Sequence, residues 1–94
     1  MIFEWNEIKS RKNLKKHGVS LDEARTVFLD EFSRLILDPD HSEGEARFVL
    51  MGTSFMSNLL LVCHSEKDLD VIRIITARKA NKWERKQYEG YKNA

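Results

Sequence analysis

The chain has few of the residues that build disulfide frameworks, repeats or membrane spans. Its 94 residues include one cysteine, one proline and four glycines. A lone Cys63 excludes a disulfide within the chain and is typical of a reducing compartment, so we expect a cytoplasmic protein. The longest apolar run, residues 59–63, is too short for a membrane-spanning helix, and no secretory signal is visible. We therefore expect no membrane partner.

The net charge is also small, at +1, but the charges are unevenly placed. Residues 9–16 carry five basic side chains and no acid, and residues 78–86 carry five basic side chains and one acid. A local basic surface on a near-neutral protein favours nucleic-acid binding. The alternative is that these residues form ordinary solvated helix faces.

A single domain over residues 1–94 follows from the length. Asn6 and Gly18 predict the cap and the stop of a first helix over roughly 7–17. Ser20 and Glu23 form a capping-box pattern before a second helix that runs to about residue 29. Asn81 predicts the cap of a last helix.

Alternating and continuous apolar runs predict the strands of one sheet. They are a short edge strand near the N-terminus, then residues 34–38, 46–53, 58–65 and 71–77. Short loops at 54–57 and 66–70 predict an antiparallel meander. The expected class is α+β, with two N-terminal helices, an antiparallel sheet of about four strands and one C-terminal helix. We expect both tryptophans, Trp5 and Trp83, to pack against this framework.

Three separated clusters of residues carry a family resemblance. They are Trp5-Asn6-Glu7 with Lys9, Asn13 and Lys16-His17-Gly18; Asp38-Pro39-Asp40-His41 with Arg47-Phe48; and Ile72-Arg73-Ile74-Ile75-Thr76-Ala77-Arg78 with Ala80, Glu84-Arg85 and Tyr88. In this order and spacing, the set resembles the BrnT family of toxins of bacterial type II toxin–antitoxin systems. The resemblance runs from residue 3 to about residue 88. Small departures, such as Asn6 where the family usually has Asp, remove no basic group.

The resemblance implies a RelE-like fold and ribonuclease activity that arrests translation, with no cofactor. It also implies an antitoxin partner similar to BrnA, whose ribbon-helix-helix part dimerises and binds DNA. The pair is then expected to bind its own promoter, so that the toxin reaches DNA only through the antitoxin.

Cleavage of RNA without a metal requires a base, an acid and cations that stabilise the charged transition state. Arg47, Arg73 and Arg78 are candidates for the cations, because guanidinium groups match phosphate oxygens. In a regular strand, Arg73 and Arg78 point to opposite faces. Either the strand bulges between them, or only one serves the site. Salt bridges to nearby acids are the alternative role of each.

Acid and base candidates are His17 and Lys16, since histidine titrates nearest neutrality, although His17 also suits a helix end. Tyr88 is a candidate proton donor or stacking residue, or part of the core. RNA-binding candidates are the basic helix residues Lys9, Lys12, Lys15, Lys82 and Arg85.

A metal site is not expected, because the histidines and Cys63 lack zinc-like spacing. His41 lies in a predicted polar turn with Asp38 and Asp40, and it is more simply a turn residue than part of the rim of a site. The rival function is a non-catalytic partner that binds the antitoxin and tunes its repression of DNA. A general RNA-binding domain without a partner is a more distant alternative.

Overall fold

A computed structural model describes residues 1–37 and 46–94. The elements in these ranges are β1 (Ile2–Glu4), α1 (Glu7–His17), α2 (Leu21–Arg25) continued by a 3-10 turn (Thr26–Leu29), β2 (Arg34–Leu37), β3 (Arg47–Thr53), β4 (Leu59–Asp68), β5 (Val71–Lys79) and α3 (Lys82–Lys92). The α+β class is therefore confirmed. Asp38, Asp40 and His41, which the sequence predicts in a polar turn, lie outside the described residues. Within the described ranges, no helix is long and apolar enough to cross a membrane.

The five strands form one sheet in the order β1-β5-β4-β3-β2. Strands β2 to β5 are the predicted antiparallel meander. The sheet is larger than the expected four strands, because β1 adds to the outer edge of β5 in parallel, with Ile2 opposite Val71 and Glu4 opposite Arg73. This pairing joins the N-terminal strand to a strand near residue 71 and has no local sequence signal.

Local caps define the first two helices. The Asn6 side chain accepts hydrogen bonds from the backbone N–H groups of Ile8 and Lys9. Gly18 ends α1 at φ 71°, a left-handed conformation that glycine adopts without strain. Ser20 caps α2 through the N–H of Glu23. The other hydrogen bond of the predicted capping box, from the Ser20 N–H to the Glu23 carboxylate, is wrong. The Glu23 carboxylate instead accepts hydrogen bonds from the side chains of Ser54 and Asn58 in the β3–β4 turn.

Each face of the sheet has its own core. One core joins the sheet to α2 and the segments beside it, and its buried members include Val19, Leu21, Val27, Leu60, Val62 and Ile74. On the other face, Tyr88 of α3 packs with the buried residues Met51, Leu59 and Leu61. Among the described residues, α3 packs on the end of this second face that Met51, Leu59 and Leu61 form.

Helix α1 covers the part of the β5 edge that β1 leaves unpaired. The buried Asn13 amide donates to the carbonyl groups of Val19 and Ala77, both at 2.8 Å. Its oxygen accepts the Ala77 N–H at 3.2 Å. This single side chain replaces a neighbouring strand for Ala77, and it fixes α1 alongside β5.

Two predictions about exposed segments are wrong. The expected loop at 66–70 is mostly strand, since β4 runs to Asp68 and the hairpin turns at Leu69 and Asp70. Its charged residues suggested a loop because both faces of this extension are solvated. Trp83 does not pack, because its side chain lies outside the buried face of α3 and is 67% exposed.

Candidate functional site

The predicted strand with Arg73 and Arg78 contains a bulge. Cys63 of β4 lies opposite Thr76 of β5, but the next residue, His64, lies opposite Ile74. Ile75 is therefore an extra residue, which shifts the alternation of side chains by one position. As a result, Arg73 and Arg78 project from the same face of the sheet. Of the two alternatives for this strand, the structure shows the bulge.

Arg47 lies on the same face as Arg73. Both residues are opposite Ser65, which sits between them on β4. With strands about 4.8 Å apart, the two arginine backbones are separated by roughly 10 Å, so their long side chains can approach one ligand. The Arg47 Nε is buried and has no hydrogen-bond partner among the described residues.

A row of three cavities follows the edge of β5, and we call this row the basic groove. Lys9 and Ile75 line both the first and the second cavity. His17 and Thr76 line both the second and the third. The first cavity also contains Glu4 and Arg73, the second Lys12 and Lys16, and the third Cys63 and Arg78. The structure thus brings together most of the predicted basic residues.

The lysines of the groove share one stripe of α1. Lys9, Lys12 and Lys16 are spaced three and four residues apart and lie on one helix face. Lys15 belongs to another face and is exposed away from the groove. Lys82 and Arg85, on α3, are also exposed but do not line these cavities. These three residues remain predictions for RNA binding without support from the groove.

The groove is too long for one phosphate group. Arg73 and Arg78 are five residues apart on an extended strand, which corresponds to about 15 Å. Helix α1 runs beside this strand from Glu7 to His17 and is also about 15 Å long. His17 and Arg78 therefore mark one end of the groove, and Glu4, Lys9 and Arg73 mark the other.

Arg78 is held by a carboxylate of α3. Its Nη1 and Nη2 atoms donate to Glu84 at 2.9 and 2.8 Å, and Nη1 also donates to the Lys79 carbonyl at 3.3 Å. The hydrogen bond from Arg78 holds the pKa of Glu84 below its usual value, and the same bond raises the pKa of Arg78. Both groups are therefore charged at neutral pH.

Arg73 forms its ion pair with Glu4 of the edge strand β1. Its Nε donates to Glu4 at 3.0 Å, and Lys67 approaches the same carboxylate oxygen at 3.6 Å. The hydrogen bond from Arg73 is the main cause that lowers the pKa of Glu4. The sequence reasoning missed Glu4 as a partner, because the contact depends on the pairing of β1 with β5.

The structure places Tyr88 apart from the basic groove. Its hydroxyl donates to Asp30 at 2.5 Å and accepts from Thr53 at 3.1 Å, beneath α3. Burial first, and then the bond to Asp30, raise the pKa of Tyr88. The hydroxyl proton of Tyr88 is therefore bound to Asp30. This contact lies in a separate cavity, which none of the groove residues line.

His64 is a buried titratable residue that lies outside the basic groove. Its ring is buried between Phe28 and Phe48, and its Nδ1 donates to the Val62 carbonyl at 3.2 Å. Burial lowers its pKa, so the ring is neutral and structural.

Comparisons with known proteins place this fold in a family. No curated protein sequence matches the chain. Among solved structures, the crystal structure of the Brucella abortus ribonuclease toxin BrnT is similar, with a TM-score of 0.65. The match covers 87% of this chain and 100% of that chain at 15% sequence identity, which supports the fold alone. A family model described as the ribonuclease toxin BrnT of type II toxin–antitoxin systems matches residues 5–84. The chain therefore belongs to the BrnT family of ribonuclease toxins.

Proposed function

We propose that the chain is an endoribonuclease toxin that binds RNA along the basic groove and cleaves it at the end marked by His17 and Arg78. The observation that carries the proposal is the cavity that these two residues share, which continues into the lysine stripe of α1. Phosphate groups bind such rows of cations, and a histidine beside a guanidinium supplies both proton transfer and charge stabilisation.

The proposed reaction needs no metal ion. The ribose 2′ oxygen attacks the adjacent phosphorus, and the bond from phosphorus to the 5′ oxygen breaks. A base removes the proton from the 2′-OH, and an acid protonates the departing 5′ oxygen, which leaves a 2′,3′-cyclic phosphate and a 5′-OH. His17 and Lys16 fill these two roles. Arg78 stabilises the charge on the non-bridging oxygens in the transition state.

The other end of the groove holds a neighbouring part of the RNA. Arg73, Lys9 and the nearby Arg47 bind a flanking phosphate, because about 15 Å separates them from the reaction. At about 3.4 Å for each stacked nucleotide, this distance corresponds to roughly four nucleotides. Single-stranded RNA that follows the groove is therefore the proposed substrate.

The proposed biological outcome is arrest of translation and growth until an antitoxin neutralises the toxin. That antitoxin is proposed to resemble BrnA, with a ribbon-helix-helix part through which the pair binds promoter DNA. Two surfaces suit a docking helix or strand. One is the face of α3 with the exposed Trp83, and the other is the outer edge of β2, where Leu35 is 61% exposed.

Induced expression of the chain alone in a bacterial host tests the proposal, with growth and total RNA followed over time. Wild type should arrest growth and fragment RNA, whereas Arg73→Ala/Arg78→Ala should do neither. Lys16→Ala should be impaired, and Arg11→Ala serves as its control because Arg11 is an exposed basic residue of the same helix that lines none of the three cavities. Normal growth and intact RNA with soluble, folded wild-type protein would contradict the proposal.

A second candidate function is the non-catalytic antitoxin partner that tunes DNA repression. It is favoured by the ion pairs of Arg73 with Glu4 and of Arg78 with Glu84, since both arginines then have structural roles. Under this function, expression of the chain alone leaves RNA intact, and only promoter repression by the antitoxin changes.

A further inference from the structure

We propose that Glu84 is a positioning residue that holds Arg78 in the orientation required to receive the RNA phosphate. The proposal rests on the proposed cleavage at the His17–Arg78 end of the groove. It gives the Arg78–Glu84 ion pair a function in catalysis rather than in stability alone.

A guanidinium group has two edges that each offer a pair of parallel donors. Glu84 occupies the terminal edge of Arg78, formed by Nη1 and Nη2. The side edge, formed by Nε and the second proton of Nη2, has no partner among the described residues. Arg78 can therefore keep its bidentate bond to Glu84 while it donates two further bonds to a phosphate.

Glu84 is itself fixed in place. It is the third residue of α3, where its Oε1 accepts the Asn81 N–H at 2.9 Å while its own N–H donates to the Asn81 side chain at 2.8 Å. This capping box locks the carboxylate to the start of the helix. The Glu84 side chain is 12% exposed, whereas that of Arg78 is 46% exposed.

The exposures show which group is the anchor. The carboxylate is enclosed and held by two elements, while the guanidinium extends from it towards the cavity that His17 also lines. A long arginine side chain without such an anchor samples several rotamers. An anchored guanidinium is preorganised for charge that develops only in the transition state.

The opposite role for Glu84 is a shield that competes with RNA for Arg78. The two roles predict effects of opposite sign when the carboxylate is removed. If Glu84 is a shield, a variant without the carboxylate should bind RNA more tightly than wild type and cleave it at least as fast. If Glu84 is a positioning residue, the same variant should bind RNA through the lysines as wild type does but cleave it more slowly.

Steady-state cleavage of a labelled single-stranded RNA by purified Glu84→Gln tests the proposal. Glutamine retains the capping box but lacks the charge and cannot accept both bonds from the guanidinium. We expect kcat to fall on the order of 10²-fold while KM changes little. Glu89→Gln, an exposed glutamate of the same helix, is the matched control and should behave as wild type.

A double-mutant comparison shows whether the effect passes through Arg78. In an Arg78→Ala background, Glu84→Gln should have no further effect on kcat. An equal loss in both backgrounds, or an unchanged or increased kcat in Glu84→Gln alone, would overturn the proposal. If wild type itself does not cleave RNA, the proposed function fails and this inference fails with it.

A second variant covers the case in which Glu84→Gln does not fold. Arg78→Lys keeps the charge and an ion pair with Glu84 but has no second donor edge. We expect it to lose kcat to a similar degree, and a wild-type kcat in this variant would also overturn the proposal.

Discussion

Arg73 and Arg78 project from the same face of β5, about 15 Å apart, because Ile75 is an extra residue between their positions in the ladder. The bulge gives one face of the sheet a guanidinium at each end of the basic groove. We therefore expect the two arginines to contact different phosphate groups of a bound RNA. Their effects on RNA cleavage should therefore differ in kind and not only in size.

The length of the substrate should separate the two arginines. On an RNA of about ten nucleotides, Arg73→Ala should raise KM, and Arg78→Ala should lower kcat on the order of 10²-fold. On a dinucleotide, Arg73→Ala should have little effect, because no flanking phosphate reaches it. Steady-state cleavage of both substrates measures this difference, and equal effects of Arg73→Ala on both would contradict the assignment.

Tyr88 should matter for stability and not for cleavage. Tyr88→Phe removes the hydroxyl that joins Asp30 and Thr53, while Asp30 keeps the backbone N–H groups of Phe32 and Thr53. We expect unfolding to require about 1–2 kcal/mol less free energy. Urea denaturation measures this change, and RNA cleavage below the denaturation range should stay within about twofold of wild type. A large loss of cleavage in folded Tyr88→Phe would instead support the predicted catalytic role of Tyr88.

Substitution of Asn13 should lower the free energy of unfolding more than most substitutions in α1. Asn13→Ala removes three buried hydrogen bonds and leaves the Ala77 backbone without its partner, so we expect a loss of about 2–4 kcal/mol in the free energy of unfolding. Leu14→Ala is the neighbouring control, since Leu14 is 51% exposed and should cost about 0.5 kcal/mol or less. Similar stability of the two variants in urea would show that Asn13 does not hold the β5 edge.

The Arg78–Glu84 pair should make stability depend on acid pH. The hydrogen bond from Arg78 lowers the pKa of Glu84 below the reference value of 4.5. The stabilisation is therefore complete above about pH 4.5 and is lost as the pH falls through the folded-state pKa. The difference in unfolding free energy between wild type and Glu84→Gln should shrink from pH 7 to pH 3. A difference that stays constant over this range would contradict the shift.

Local signals explain which parts of the fold the sequence could predict. The bounds of α1 follow from Asn6 and Gly18, which act within one turn of the helix. The central strand β4 was recognisable because its apolar residues are continuous. These features do not depend on distant parts of the chain.

The remaining features depend on contacts between distant residues. Arg73 meets Glu4 across 69 positions, and Tyr88 meets Asp30 across 58. The register shift at Ile75 is a property of the β4–β5 ladder, so the single sequence of β5 left both alternatives open. The sequence predicts only part of the basic groove. Helical spacing places Lys9, Lys12 and Lys16 on one face of α1, but it does not show that this face lies beside β5.

The most direct test of the account is cleavage of a single-stranded RNA by the purified chain in excess EDTA, with the product ends identified. Wild type should produce 2′,3′-cyclic phosphate and 5′-OH ends. His17→Ala should cleave on the order of 10²–10⁴-fold more slowly while it still binds the RNA. Intact RNA with folded wild-type protein, or equal cleavage by wild type and His17→Ala, would contradict the account.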